Sequence, residues 1–132
     1  MLITLDLASS VPIYVQLRNQ IVMGIGKGNL KIGESLPTVR QLAQDAGVNT
    51  MTVNKTYQIL KQEGYIEIDR RHGAKVASCL DLNHEFEEKL TYELELLSAQ
   101  AALNGYGKAE FLNICSRMFD EMHITACEGS TL

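Results

Sequence analysis

The sequence predicts a mainly α-helical protein carrying one small β-hairpin, arranged as a compact N-terminal domain followed by an antiparallel pair of helices. Three patterns predict it. Apolar residues recur at helical spacing in five stretches separated by turn residues. Two of those stretches are short and meet at a single glycine, Gly47. One segment, Tyr65-Ile66-Glu67-Ile68, alternates like a half-buried strand, and Ala74-Lys75-Val76-Ala77 returns after a polar turn.

Taken in order, residues 1–10 read as an extended lead-in in which Leu2, Leu5 and Leu7 pack loosely. Ser9 or Ser10 is expected to cap a helix with Pro12 in its first turn. Ile13, Leu17, Ile21 and Ile25 form its core-facing stripe, widened by Tyr14 and Val22, over about four turns. Gly24, Gly26 and Gly28 are expected to fray its end. Gly33 marks a turn, and Leu30, Ile32 and Leu36 are expected to be buried.

Leu36 to Leu60 is the stretch around which the chain is organised. Pro37 stops any earlier helix from running in. Thr38 and Gln41 have capping-box spacing, with Thr38 accepting from a backbone amide and Gln41 reaching back to the cap. Val39, Leu42, Ala43 and Ala46 give the first helix one apolar face. Gly47 takes the positive φ of a helix end, Val48 plugs the core, and Asn49 caps the second helix. Val53, Tyr57 and Leu60, with Thr56 beside them, form that helix's inner face. Its outer face carries Thr50, Thr52, Asn54, Lys55 and Gln58, hydrogen-bonding groups rather than a Glu/Lys mixture. A glycine turn between two helices, the second small and polar, is the helix-turn-helix pattern that reads a major groove. Gly64 then stops the helix. The hairpin that follows is a wing, placing Arg70, Arg71, His72 and Gly73 at its tip and Lys75 on its return strand, toward phosphates or a minor groove. A solvated turn is the bland alternative for these charges, weakened by its place directly after a helix-turn-helix.

The formal net charge of −4 argues against nucleic acid until the chain is divided. Residues 1–78 hold nine Lys/Arg and six Asp/Glu, a net of +3, whereas 79–132 hold three and ten, a net of −7. The basic half is the one expected to meet phosphate, though charge segregation alone also arises by chance. The domain boundaries follow: 1–78 as a winged helix-turn-helix DNA-binding domain and 79–132 as a helical tail. In the tail, 79–83 is a linker. Phe86, Leu90, Leu94, Leu97 and Ala101 trace one face of a helix running to about residue 104, and Phe111, Ile114, Cys115, Met118 and Met122 trace another. Gly105-Tyr106-Gly107 separates the two. Two such helices cannot bury both stripes on each other, so Phe86, Leu90, Leu94, Leu97, Phe111, Ile114 and Met118 are expected to dimerise. Folding back onto the winged domain is the competing topology. The last residues, from about Thr125, are expected to fray.

Catalytic and metal chemistry find no support. Gly24 to Gly28 lacks phosphate-loop spacing. The carboxylates of 85–95 form a charged face with no partner base, and His123 with Cys127 lacks further ligands for zinc. Cys115 lies on an apolar face, and Cys79 has no base beside it. No cofactor or metal is expected, and the chain is not expected to be an enzyme. No apolar run reaches membrane-spanning length and no signal sequence follows Met1, so a cytoplasmic protein without membrane contact is expected.

Ordered blocks across about residues 10–77 resemble the winged-helix domain of the GntR family of bacterial transcription regulators. They are Pro12-Ile13-Tyr14 with Leu17, then Gly33 through Ala43, Gly47 through Val53, and Tyr57, Leu60 and Gly64-Tyr65-Ile66. The resemblance implies that Arg40 touches DNA from the first helix of the pair. It also implies that Asn49, Thr50 and Thr52 read bases and that His72-Gly73 approaches the minor groove. Thr50 and Asn54 stand where many members carry arginine, with Lys55 next to Asn54, so the operator preference should differ. The short tail resembles the YtrA-like subfamily, which implies a dimeric repressor, often of an ABC-transporter operon, on a pseudo-palindromic double-stranded operator. An effector, where one exists, is expected between subunits or between tail and wing, because two helices leave little room for a cavity within one. The rival reading is a winged-helix protein–protein interaction module without DNA binding. Such a surface should expose apolar groups, and on the recognition face only Met51 qualifies.

Overall fold

A computed structural model describes residues 3–78 and 84–125. Cys79, Cys127, Leu2 and the expected linker at 79–83 lie outside the described residues. The element order is α1 (Ile13–Gly26), α2 (Val39–Ala46), α3 (Thr50–Gln62), β1 (Ile66–Asp69), β2 (Gly73–Val76), α4 (His84–Leu103) and α5 (Lys108–Asp120). The described residues divide into two compact units, 3–78 together with 123–125, and 84–122. The first is a winged helix: three helices and an antiparallel hairpin around one core.

That core is built from the stripes that the spacing marks. Leu17, Ile21 and Ile25 of α1, Leu42 and Ala43 of α2, and Val53, Tyr57 and Leu60 of α3 are buried together with Leu30, Ile32, Leu36, Ile66, Ala74 and Val76. Burying a side chain of this size contributes about 1.5–3 kcal/mol, so the three helices have no cheaper place for these faces. In the hairpin Ile66 pairs with Val76, Glu67 with Lys75 and Ile68 with Ala74. The strand alternation therefore turns Ile66, Ala74 and Val76 inward. The loop before α2 adds a partial third strand. Leu36 N donates to Ala74 O at 2.8 Å, and Val76 N donates to Glu34 O at 2.9 Å.

Two polar devices fix the helices. Thr56 is fully buried, and its hydroxyl lies 3.0 Å from Thr52 O and 3.2 Å from Tyr14 O, sharing one proton between its own helix and α1. Tyr57 donates to Pro37 O at 2.6 Å, and burial pushes its phenol well above the ordinary tyrosine range. At the far end of α3, Arg18 grips Glu63 through two nitrogens at 2.8 and 2.9 Å while lying over the Tyr65 ring.

The lead-in is held by side chains of α1. Asp6 N donates to Gln16 Oε1 and Thr4 N to Gln20 Oε1, each at 2.8 Å, and both amides return a bond to the same backbone residues. Four residues of helix rise about 6 Å, close to the span of two extended residues, so one glutamine per turn meets every second residue of the strand. Ile3 and Leu5 pack against the core, but Leu7 is 82% exposed and does not pack as expected. Pro12 itself is the N-cap of α1, and no serine side chain caps it. Ser9 instead accepts from Val11 N at 3.0 Å, closing a local turn.

The end of α1 departs most from the sequence reading. Gly28 closes the end of α1 at φ +83°, its N–H donating to Ile25 O at 3.1 Å while Asn29 N donates to Gly24 O at 2.8 Å, and a distant segment also passes against it. His123 N donates to Gly26 O at 2.8 Å, and Ile32 N donates to Thr125 O at 2.7 Å. Thr125 is therefore held by the first unit, and the rest of the stretch expected to fray, 126–132, lies outside the described residues. A Cβ on Gly28 would collide with the His123 carbonyl oxygen and sit 2.5 Å from Thr125 Oγ1. We expect Gly28→Val to lower stability by about 2–3 kcal/mol, from positive-φ strain plus the clash. Urea denaturation measures it, and an unchanged midpoint would remove 123–125 from the folded unit. Thr56→Val should cost about 1–2 kcal/mol in the same assay by leaving two buried carbonyls short of a donor.

Candidate nucleic-acid interface

Helix α2 begins at Thr38, whose hydroxyl accepts from Gln41 N at 3.0 Å. The reciprocal half of the capping box, in which the Gln41 amide oxygen would accept from Thr38 N, does not form; the Gln41 NH₂ instead donates forward to Asp45 Oδ1 at 2.8 Å, one turn along. Arg40, the second residue of this helix, is exposed. Gly47 follows at φ +70° and turns the chain into α3.

Asn49 caps α3, its Oδ1 accepting from Met51 N at 2.6 Å. That oxygen is committed to the helix, which leaves the amide NH₂ as the group Asn49 can offer outward. Thr50 and Asn54 are exposed, and Thr52 is half-buried. Lys55 sits with Nζ 3.9 Å from the Tyr14 ring centroid, a cation–π contact with α1. The exposed stripe of α3 is Met51, Asn54, Lys55 and Gln58, at i, i+3, i+4 and i+7. Met51 heads that stripe at 76% exposure. Sequence reading placed it on this face without giving it a role.

The hairpin tip is organised by Asp69. One of its oxygens accepts from Arg71 N at 2.8 Å and the other lies 3.2 Å from His72 Nδ1. The Arg71 amide first, then the His72 ring, hold the Asp69 carboxyl below its usual range. Protonation as pH falls through that lowered value removes the charge that strengthens both contacts, so they are favoured above it and weakened below it. Gly73 takes φ +73° to close the turn. Arg70, Arg71 and His72 are exposed. Lys75 reaches across the hairpin to its strand partner Glu67, 3.6 Å away, and is half-buried.

In the second unit, α4 and α5 are joined through a turn at 104–107, with Gly105 at φ +89°. Glu110 reaches back to Gly107 N at 3.3 Å and starts α5. Neither helix buries a residue. Phe86, Leu90, Leu94, Leu97 and Met118 are all exposed, and Phe111, Ile114 and Cys115 are half-buried. The two helices flank an open groove of about 820 Å³, lined by Leu97, Ala101, Tyr106, Phe111, Ile114 and Met118 among others. Among the described residues no helix is long and apolar enough to cross a membrane, and no cluster of three His, Cys, Asp or Glu could hold a metal ion.

The profile of the bacterial regulatory proteins, gntR family, matches residues 13–76, the span from the start of α1 to the end of β2. An uncharacterized HTH-type transcriptional regulator YhcF of Bacillus subtilis is 35% identical over 105 residues, covering 79% of this chain and 87% of that protein. The HTH-type transcriptional repressor YtrA of the same organism is 41% identical over 76 residues, 58% of each chain. Among solved structures, YtrA from Sulfolobus acidocaldarius, a GntR-family transcription factor, matches with TM-score 0.60 and 37% identity, over 71% of this chain and 97% of that one. With the cap residues, turn glycines and hairpin in the places described, this chain belongs to the GntR family of DNA-binding transcription regulators.

Proposed function

We propose that the protein is a dimeric repressor acting in the cytoplasm on a pseudo-palindromic operator, with α3 of each subunit entering successive major grooves about one turn (~10 bp) apart. The observation that carries this reading is the outward face of α3, where hydrogen-bond formers replace the usual salt-paired helix surface. Thr50, Thr52 and Asn54 read base edges, Asn49 contributes through its amide, and Arg40 fixes register from α2. Lys55, Arg70, Arg71 and Lys75 supply phosphate attraction, and His72-Gly73 brings the tip to the adjacent groove. Before they reach phosphate, Lys55 must leave the Tyr14 ring and Lys75 must leave Glu67.

Dimerisation through α4 and α5 is supported by the apolar faces that neither helix buries. Leu90, Leu94, Leu97 and Phe86 of α4 face a second copy in this reading, with Phe111, Ile114 and Met118 of α5. The groove between the two helices is occupied by the partner, or by a small-molecule effector that competes with it. Repression of an ABC-transporter operon follows from likeness to YtrA-type regulators. On the outward face of α3 the exposed Met51 is the apolar feature that a protein-binding winged helix would share. Failure to bind any duplex DNA is the outcome that would favour that reading.

Arg40→Ala should weaken operator binding at least tenfold, the scale of a lost charged hydrogen bond, while size-exclusion elution and the thermal melt stay unchanged. Unaltered affinity in a gel shift would remove Arg40 from the interface. Replacing Leu94 and Leu97 by Asp should convert the dimer to a monomer in sedimentation analysis; a dimer that persists places the interface elsewhere. In a salt series, Arg71→Ala should flatten the slope of log K against log[salt] by about 2 per dimer. A slope unchanged by Arg71→Ala would detach the hairpin tip from the DNA.

A further inference from the structure

We propose that Met51 is a specificity-determining residue that reads the C5-methyl of a thymine in each half-site. The inference rests on the DNA-binding reading above and deepens it. Met51 is the second residue of α3 and is 76% exposed. Leu60, nine residues on and about 180° around the helix axis, is fully buried. Met51 therefore occupies the outward pole of the first turn, the part of a recognition helix that meets base edges.

The chemistry of that pole narrows the partner. A thioether side chain offers no N–H or O–H donor and only a weak acceptor, so it gains most from apolar contact. In the major groove the base pairs present hydrogen-bonding groups with one apolar exception, the thymine methyl. The surroundings keep the contact open. Lys55, the cation on the same stripe, lies over Tyr14 at 3.9 Å. The Asn49 oxygen is engaged with the Met51 amide. The next residues along the stripe, Asn54 and Gln58, are exposed carboxamides, the side chains that pair with adenine N6 and N7. A methionine followed by two carboxamides suits a half-site with A·T pairs at its centre.

The full-length protein is used to enrich duplexes from a random-sequence pool, and each thymine of one half-site is then replaced in turn by deoxyuridine. Deoxyuridine keeps the hydrogen bonds and removes the methyl alone. At one position the wild type should lose about fourfold in affinity, the worth of one buried methyl-sized group. Met51→Ala and Met51→Gln should bind both duplexes equally, and Met51→Leu should keep the preference. The exposure of Met51 makes all three compatible with the fold, which a thermal melt checks. If Met51→Ala binds too weakly to measure, the contrast between Leu and Gln decides. An enriched half-site without thymine, a wild type indifferent to every methyl, or a preference that survives in Met51→Gln overturns the inference while DNA binding stands. A pool that yields no enriched duplex overturns the DNA-binding reading and this inference with it.

Discussion

The hydroxyl of Thr56 is the interaction on which the reading helix depends. It sits at the fully buried centre of the α1–α3 contact and divides one proton between the Thr52 and Tyr14 carbonyls. A valine there would pack as well and leave α3 with less reason to sit in one rotational setting. Tyr57, donating to Pro37, adds a second restraint toward α2, and Arg18 with Glu63 adds a third at the far end. Rotation of α3 by one residue would turn Met51 aside, so the set of side chains that α3 presents outward is fixed by bonds on the opposite side of the helix.

With the inner face fixed, the outer face has little charge with which to hold DNA. Its one cation rests on an aromatic ring. Basic character lies at the flanks instead, on Arg40 at the start of α2 and on Arg70 and Arg71 at the hairpin tip. In the proposed reading affinity and discrimination thereby fall to different elements, while residues 79–132 carry a net charge of −7.

Much of the fold was legible in the sequence, because its signals are local. Thr38, Gly47, Asn49 and Gly64 mark boundaries through bonds or dihedral angles within a few residues, and each stands where its chemistry predicts. The burial stripes of α1 and α3 obey a single period. The misreadings share a cause. Gln41 had a backbone donor behind it at Thr38 and a carboxylate acceptor ahead of it at Asp45, and the composition of a capping box does not say which it takes. The Lys55–Tyr14 contact requires knowing how α3 crosses α1. Gly28 ends α1, but the close passage of 123–125 against it was not legible because that partner lies near the other end of the chain. The face of α3 was legible as a set of residues, but its rotational order, with Met51 outermost, needed the buried side to be located first.

That partner to Gly28 alters what kind of object the DNA-reading unit is. Ile32 and Thr125, 93 residues apart, share a backbone hydrogen bond, as do Gly26 and His123. Residues 123–125 thus return to the winged helix, and the helical unit lies in sequence between two segments of the first unit. During synthesis, its last backbone bonds must wait until α4 and α5 have been made, a long-range closure of the slow kind. A nascent chain carries its reading helix well before the unit bearing that helix is complete.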